Sequence, residues 1–170
     1  MGNKLPFIPP FRTGFGVDVH QLSGSRQLFI GGVEIPSDVG AVGHSDADVL
    51  LHAICDALLG SLNLRDIGFH FPDTDPKFEG IDSKILLRET YKLIRNKGYL
   101  IGNIDATIML EAPKVNPYIT SMQEVIAGIL SCETDQISIK ATRGEKMGFV
   151  GNREGIKAYA SVLIYREQQH

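Results

Sequence analysis

The sequence has no tryptophan, only two cysteines and no excess of positive charge. Cys55 and Cys132 lie far apart and outside any C-x-x-C pattern, so neither a disulfide framework nor a sulfur-rich zinc site is expected. Both are assigned to packing in a reducing compartment. Seventeen Lys+Arg against twenty Asp+Glu give a net charge of -3, too little positive field to draw in a nucleic acid or an anionic membrane. Neither is an expected partner. No apolar run is long enough for a signal h-region or a membrane span, and the opening Met1-Gly2 is followed by Pro6 where myristoylation needs Ser or Thr. A cytoplasmic protein is expected. No repeat is visible, and 43% apolar with 22% charged residues is an ordinary globular composition. With 170 residues against about 150 for an average domain, residues 1–170 form one domain. Pro6, Pro9 and Pro10 break up residues 1–11, which are expected to be a flexible N-terminal extension.

The patterns that are present alternate between two periods. Residues 13–22 place Phe15, Val17 and Val19 on one side and Gly16, Asp18 and His20 on the other, as in a strand. A second apolar run, 27–35, is broken by Gly31-Gly32, a hairpin turn signal, and a Gly-rich loop follows over 37–43. Residues 45–60 are the clearest helix, with Val49, Leu50, Ala53, Ile54, Ala57 and Leu58 as one core-facing stripe. Ser45 and Asp48 resemble a capping box, and Gly60 can end the helix. The Asp-, Pro- and Gly-rich stretch 66–80 predicts a loop. Helices are expected over 82–97 and 117–130, and strands over 101–110, 136–141 and 156–165, the last with Ala158, Ala160, Val162 and Ile164 on one side. This interleaving points to an α+β two-layer sandwich in which helices cover one face of a mixed β-sheet.

Three stretches carry chemistry. Asp18 and His20 share a strand face, and His52 sits on the helix between Asp48 and Asp56 at spacings of four, where an acid can accept the second imidazole N–H. Asp18, His20 and His52 offer the two nitrogens and one oxygen of an open zinc site. The alternative is a satisfied edge-strand pair and a solvated helix histidine. From Lys140 to Gly155, backbone N–H groups at Thr142, Arg143 and Gly144 lie among Lys140, Arg143, Lys146, Arg153 and Lys157, which suits a phosphate. Glu145 within that stretch can hold a hard cation such as Mg2+. The alternative there is a basic solvated loop with one compensating acid. Phe71-Pro72-Asp73-Thr74-Asp75 suits hydroxyl groups or a second phosphate, or is a run of self-capped Asx turns.

The ordered motifs G-F-G-V-D-V-H, G-H-S-D-A-D-V-L-L-H-A, D-A-L-L-G, D-I-G-F-H-F-P-D-T-D-P, E-A-P-K, K-A-T-x-x-E-K-x-G-F and E-G-I closely resemble the 2-C-methyl-D-erythritol 2,4-cyclodiphosphate synthase family across residues 12–165. The resemblance implies a homotrimer with its sheets around the three-fold axis and its active sites between subunits. It also implies a lyase of the non-mevalonate isoprenoid pathway, acting on the cytidine diphosphate substrate 4-diphosphocytidyl-2-C-methyl-D-erythritol 2-phosphate. Asp18, His20 and His52 match zinc ligands, and Glu145 matches the ligand of a Mg2+ or Mn2+ bridging the substrate phosphates. His44 and Ser45 match the pair beside the 2-phosphate. Asp66, Ile67, Gly68, Phe71, Pro72, Asp73, Thr74 and Asp75 match the erythritol segment. Leu110, Ala112, Pro113, Lys114, Val115, Asn116 and Thr142 match the cytidine pocket, and Gly144, Phe149 and Asn152 complete the expected substrate contacts.

The departures are local. Arg143 and Gly144 stand where the family has two threonines, the first of which is associated with the transition state, so Arg143 and His44 are the expected catalytic pair. The family's G-R-G-E-G is here Gly151-Asn152-Arg153-Glu154-Gly155, which shifts an arginine associated with the trimer axis. Two other readings stay open: a trimeric nucleotide-binding protein that has lost turnover, and a two-histidine-one-carboxylate iron oxygenase, in which the diphosphate-style loop has no role.

Overall fold

A computed structural model of the chain describes residues 9–24 and 26–167. Strands β1 (Phe11–Ser23), β4 (Gly40–Val42), β5 (Tyr99–Met109), β6 (Ile137–Thr142) and β7 (Gly155–Arg166) make a five-stranded sheet in the order β4-β1-β7-β5-β6. All pairs are antiparallel except β5–β6, which is parallel, so the sheet is mixed as expected. A separate hairpin, β2 (Leu28–Ile30) and β3 (Val33–Ile35), turns at Gly31-Gly32. Helices α1 (Val49–Ser61), α3 (Ser83–Asn96) and α4 (Ile119–Leu130) cover one face of the sheet. Two single-turn helices, α2 (Ile67–His70) and α5 (Gly148–Gly151), sit in the connections. No helix among the described residues is long and apolar enough to cross a membrane.

The core lies between the helices and the inner side chains of the sheet: Ile156, Ala158, Ala160, Val162 and Ile164 of β7, and Ile104, Ala106 and Ile108 of β5. On β1 the inward side is the glycine side. A Cβ at Gly16 would stand 2.0 Å from the Ala53 carbonyl oxygen, and one at Gly14 would stand 1.8 Å from that of Ala57. Glycine on the strand and alanine on the helix therefore let α1 lie directly on β1, closer than any larger pair allows. The bulky side, Phe11, Phe15, Val17 and Val19, faces outward, and Phe15 is 64% exposed. This reverses the usual assignment of the larger apolar residues to the core.

Several elements depart from the sequence reading. Residues 1–8 of the expected extension lie outside the described residues, but Pro10 already accepts a hydrogen bond from the Arg166 N–H (2.7 Å) and Phe11 pairs with Tyr165. Residues 40–42 of the expected Gly-rich loop are strand β4, paired with 21–23. The expected loop 66–80 contains α2 and a 3-10 turn (Pro76–Phe78), each begun by an aspartate, Asp66 and Asp75, that accepts a backbone N–H. Helix α1 has no single stripe: all its residues are buried except His52, Asp56 and Gly60.

The α1 cap is Asp48 itself rather than a Ser45–Asp48 box. Its carboxylate Oδ1 accepts from the N–H groups of Leu50, Leu51 and Gly31, and its Oδ2 accepts from Gly32. One fully buried side chain thus caps the helix and fastens the β2–β3 hairpin to it. Asp48→Ala is expected to cost about 3 kcal/mol or more, because cap loss is joined by orphaned buried donors. Urea unfolding of the metal-free protein measures this, and a loss below about 1 kcal/mol would mean that the hairpin re-forms elsewhere.

Candidate metal centre and nucleotide cavity

Because α1 sits on the glycines of β1, His52 reaches over the strand to Asp18 and His20. Asp18 Oδ2 stands 2.9 Å from His20 Nε2 and 3.0 Å from His52 Nδ1, and the two nitrogens are 3.2 Å apart. Among the described residues these three side chains form a group able to hold a metal ion. Tetrahedral zinc with bonds near 2.0–2.1 Å separates its ligands by about 3.3 Å, so the triangle fits within a few tenths of an ångström.

The outer hydrogen bonds say what those three atoms are. His20 Nδ1 donates to the Val42 carbonyl (2.9 Å), which leaves a lone pair on Nε2. His52 Nε2 lies 2.9 Å from Ser83 Oγ and 3.2 Å from Ser45 Oγ, which leaves a lone pair on Nδ1. Two imidazole lone pairs and a carboxylate oxygen then converge on one point, an arrangement that repels itself unless a proton or a metal cation sits among them. Burial alone would raise the Asp18 carboxyl, but hydrogen bonds and charge from His20 and His52 hold it well below the usual carboxylate range. Burial acts to lower His20, and the Asp18 carboxylate together with the Val42 carbonyl outweighs it, so its pKa is raised.

The sign of the pH effect follows. Below its raised value His20 carries a proton that stabilises the metal-free fold through Asp18, a contribution lost as pH rises through that value. A dication must displace this proton, so affinity for Zn2+ is expected to fall as pH is lowered from about 8 to 5. Zinc titrations across that range measure this, and a flat profile would exclude His20 as a ligand.

The triad opens into a cavity of about 430 Å3 whose wall includes His44, Ser45, Ile67, Gly68, Phe71, Asp73 and Phe78. All of these except Phe78 are residues that the family resemblance placed around one phosphate and its polyol. Pro72, Thr74 and Asp75 belong to the same segment but do not line this cavity. Asp75 accepts from the Lys77 N–H as the alternative Asx reading expected, and its carboxyl is lowered by Lys77. Asp66 spends its carboxylate on the Phe69 N–H. Asp48 and Asp56, expected to accept an imidazole N–H from His52, do not. Asp48 caps α1, and Asp56 accepts from the Ile67 N–H (2.7 Å). Their place is taken by Ser83, with Asp46 of the G-H-S-D-A-D motif behind it, and for His20 by a backbone carbonyl; Ser83 and that carbonyl carry no local sequence signal.

A second cavity of about 390 Å3 is lined by Leu110, Glu111, Pro113, Lys114, Val115, Asn116, Ala141, Thr142, Arg143 and Glu145. It gathers most of the residues expected around cytidine and shares no lining residue with the first. Ala112 and Gly144 sit in its loops without lining it. Gly144 N–H donates to Glu111 Oε2 (3.0 Å), so that group is not free for a phosphate. Arg143 Nη2 lies 3.5 Å from Glu145 Oε1.

The expected ring of cations does not assemble. Lys140 is paired with Asp105, Lys157 lies 4.8 Å over the Tyr159 ring, and Arg153 bonds Asp38 at 2.6 Å. Alternation along β6 and β7 turns the two lysines to the outer face of the sheet. Arg153 stands at φ +62, a left-handed backbone costly for a side chain, at the position where the family motif has its second glycine. Phe149 packs toward Gly155 beside the His20 backbone, and Asn152 ends α5 at the surface, so neither lines the second cavity. Burial pushes the thiols of Cys55 and Cys132 up to about 12 and about 11, which makes both poor nucleophiles and agrees with packing roles.

A YgbB family model matches residues 11–165. The chain is 57% identical over 155 residues to a 2-C-methyl-D-erythritol 2,4-cyclodiphosphate synthase of Parabacteroides distasonis, covering 91% of this chain and 96% of the relative. It is 58% identical over 155 residues to the synthase of Porphyromonas gingivalis, with the same coverage. The fold is similar to the bifunctional IspDF of Campylobacter jejuni (TM-score 0.89, 40% identity, 93% of this chain and 43% of that chain). It is also similar to a CDP complex of Plasmodium falciparum IspF (TM-score 0.83, 32% identity, 95% and 100%). A third similar structure is a CDP-bound form of the synthase (TM-score 0.83, 35% identity, 90% and 99%). With the family model spanning nearly the whole described sheet and its helices, and three side chains able to hold a metal ion converging beside them, the chain belongs to the YgbB family.

Proposed function

We propose that the protein converts 4-diphosphocytidyl-2-C-methyl-D-erythritol 2-phosphate into 2-C-methyl-D-erythritol 2,4-cyclodiphosphate and CMP, as a phosphorus–oxygen lyase. The observation that carries this reading is the convergence of Asp18, His20 and His52 lone pairs at the mouth of a cavity lined by His44 and Ser45. An oxygen of the 2-phosphate forms a bond to the β-phosphorus of the same molecule, the bond from that phosphorus to the α–β bridging oxygen breaks, and the oxygen leaves with CMP. Atoms and electrons balance without a redox partner.

Asp18, His20 and His52 would hold zinc, and Glu145 would hold Mg2+ or Mn2+; the two dications supply positive charge to the diphosphate oxygens as negative charge moves to the leaving CMP. The chain's own contribution is positioning. Nucleophile and electrophile belong to one substrate, so residues that hold it folded back supply effective molarity. His44 and Ser45 orient the 2-phosphate. Ser45 Oγ accepts from the Ala47 N–H (3.0 Å), which leaves its own proton to donate. The cavity of Leu110–Asn116 and Thr142 takes the cytidine, in keeping with the CDP that similar structures bind.

The two cavities share no wall, yet one diphosphate must meet both Glu145 and the triad. A homotrimer with sites between adjacent subunits answers this. The outer face of β1 and β7, with Phe11, Phe15, Val17, Val19 and Tyr165 exposed, supplies an apolar surface for the contact. The sedimentation mass should be three times that of the chain.

The purified protein with Mg2+ or Mn2+ should release CMP from this substrate. Tight CMP binding without product would select the nucleotide-binding alternative, for which one structural feature speaks. A Cβ at Gly144 would meet Gly151 N at 2.4 Å, so the loop bearing Arg143 has a path that the family's threonine would not fit. In the catalytic reading the Arg143 guanidinium binds phosphate in place of the hydroxyl of the family's threonine at position 143. Comparing kcat for Arg143→Thr decides, since an unchanged rate removes any special role.

A further inference from the structure

His52 presents Nδ1 to the metal position only while Nε2 keeps its proton, and the buried Ser83 with the half-buried Asp46 behind it holds that proton in place. Ser83, fully buried at the start of α3, donates its hydroxyl to Asp46 Oδ1 (2.5 Å) and its backbone N–H to Asp46 Oδ2 (3.0 Å). The hydroxyl has one hydrogen, and Asp46 takes it. Ser83 Oγ is therefore an acceptor toward His52 Nε2 at 2.9 Å, which fixes the imidazole in one tautomer and one rotamer. Asp46 is itself immobilised: its N–H donates to the Ile81 carbonyl (3.1 Å), and its Oδ1 accepts from the Asp48 N–H (3.2 Å).

The neighbouring Ser45 hydroxyl does not replace this contact. It lies farther from Nε2, at 3.2 Å, and already accepts from Ala47. Nor is Ser83 needed for its own helix, whose cap is the Asp82 carboxylate accepting from the Lys84 N–H at 2.8 Å. The hydroxyl of Ser83 is thus not spent on capping its helix, and its two partners are Asp46 and His52.

We infer that Asp46, acting through Ser83, is the positioning device of the metal centre, holding His52 Nδ1 toward Asp18 and His20. The inference rests on reading the triad as a zinc site. Outer partners of a ligating histidine typically change metal affinity by about 10–100-fold. A carboxylate behind a hydroxyl extends that effect by one link, because linked hydrogen bonds polarise one another.

The test is Zn2+ affinity of the full chain by competition with a chromophoric chelator, together with the Co2+ d–d spectrum as a report on ligand geometry. Ser83→Ala should weaken zinc by about 10–100-fold and shift the Co2+ bands. Asp46→Asn should weaken it by about fivefold, the order of one hydrogen bond, and should add nothing in the Ser83→Ala background, because both act on one contact. Wild-type zinc binding with unchanged affinity in Ser83→Ala overturns the inference and leaves the zinc site standing. No zinc binding by the wild type removes both. Independent, additive effects mean that Asp46 does not act through Ser83. Should Ser83→Ala fail to fold, Asp46→Asn alone carries the comparison, and unchanged affinity there is again decisive against the inference.

Discussion

Asp18→Asn is expected to lower CMP release by about 100–1000-fold, the range seen when one preorganised group at developing phosphate charge is lost. The change keeps the side chain's shape and leaves the β1–β7 pairing intact, where Asp18 stands opposite Ala158. It removes the negative charge that both imidazoles face, at 2.9 and 3.0 Å. The variant should therefore fold, should still bind CDP in the second cavity, and should lose zinc. Glu145→Gln should also be inactive, through the other cavity. If sites form between subunits, unfolding and refolding the two inactive variants together should restore part of the rate, because some mixed assemblies place an intact triad against an intact Glu145. Turnover of Asp18→Asn at the parent rate would sink the metal-centred reading, and the absence of restored activity would sink the shared site.

Gly16→Ala should be among the most damaging single methyl additions at the described glycines. Its Cβ would lie 2.0 Å from the Ala53 carbonyl oxygen and 2.7 Å from the Ala57 nitrogen, both of them helix backbone and unable to rotate away. Helix α1 must then retreat from β1 by more than about 1 Å, at a cost of about 3 kcal/mol or more. The retreat carries His52 away from Asp18 and His20, so zinc affinity should fall together with stability. Urea unfolding with chelator present measures the first effect and zinc titration the second. A variant that loses stability but keeps full affinity would show that the ligand triangle does not depend on the glycine seam.

The two predictions differ in how far they were legible beforehand. Asp18, His20 and His52 were readable because each lies in a regular element, and the period of that element places its side chain on a definite side. The same alternation grouped Gly16 with Asp18 and His20 against Phe15, Val17 and Val19, but it did not say which group points inward. Hydrophobicity favours the phenylalanine side, and the structure places the glycine side under α1 because only there can helix and strand approach closely enough. The Asp48–His52–Asp56 spacing was also visible, yet Asp48 serves four backbone N–H groups and Asp56 one, a division that depends on where the Gly31-Gly32 turn and Ile67 arrive in space.

The cations of residues 140–157 show the same limit. Their clustering in sequence suggested clustering in space, but strand alternation sends Lys140 and Lys157 to the outer face, and a left-handed turn sends Arg153 to Asp38. Ser83 and the Val42 carbonyl, which orient the imidazoles, carry no local signal, and Asp46 stands in the G-H-S-D-A-D motif without a role that its spacing reveals.

What the residues determined by themselves was the identity of the longer strands and helices and the side of each on which Asp18, His20 and His52 stand, since consecutive side chains and backbone geometry encode both. Which face of β1 is buried, which groups hold the histidine tautomers and where the positive charges go were decided only by tertiary packing. These are contacts between segments distant along the chain, and their energies depend on distances of a few ångströms that no local pattern specifies.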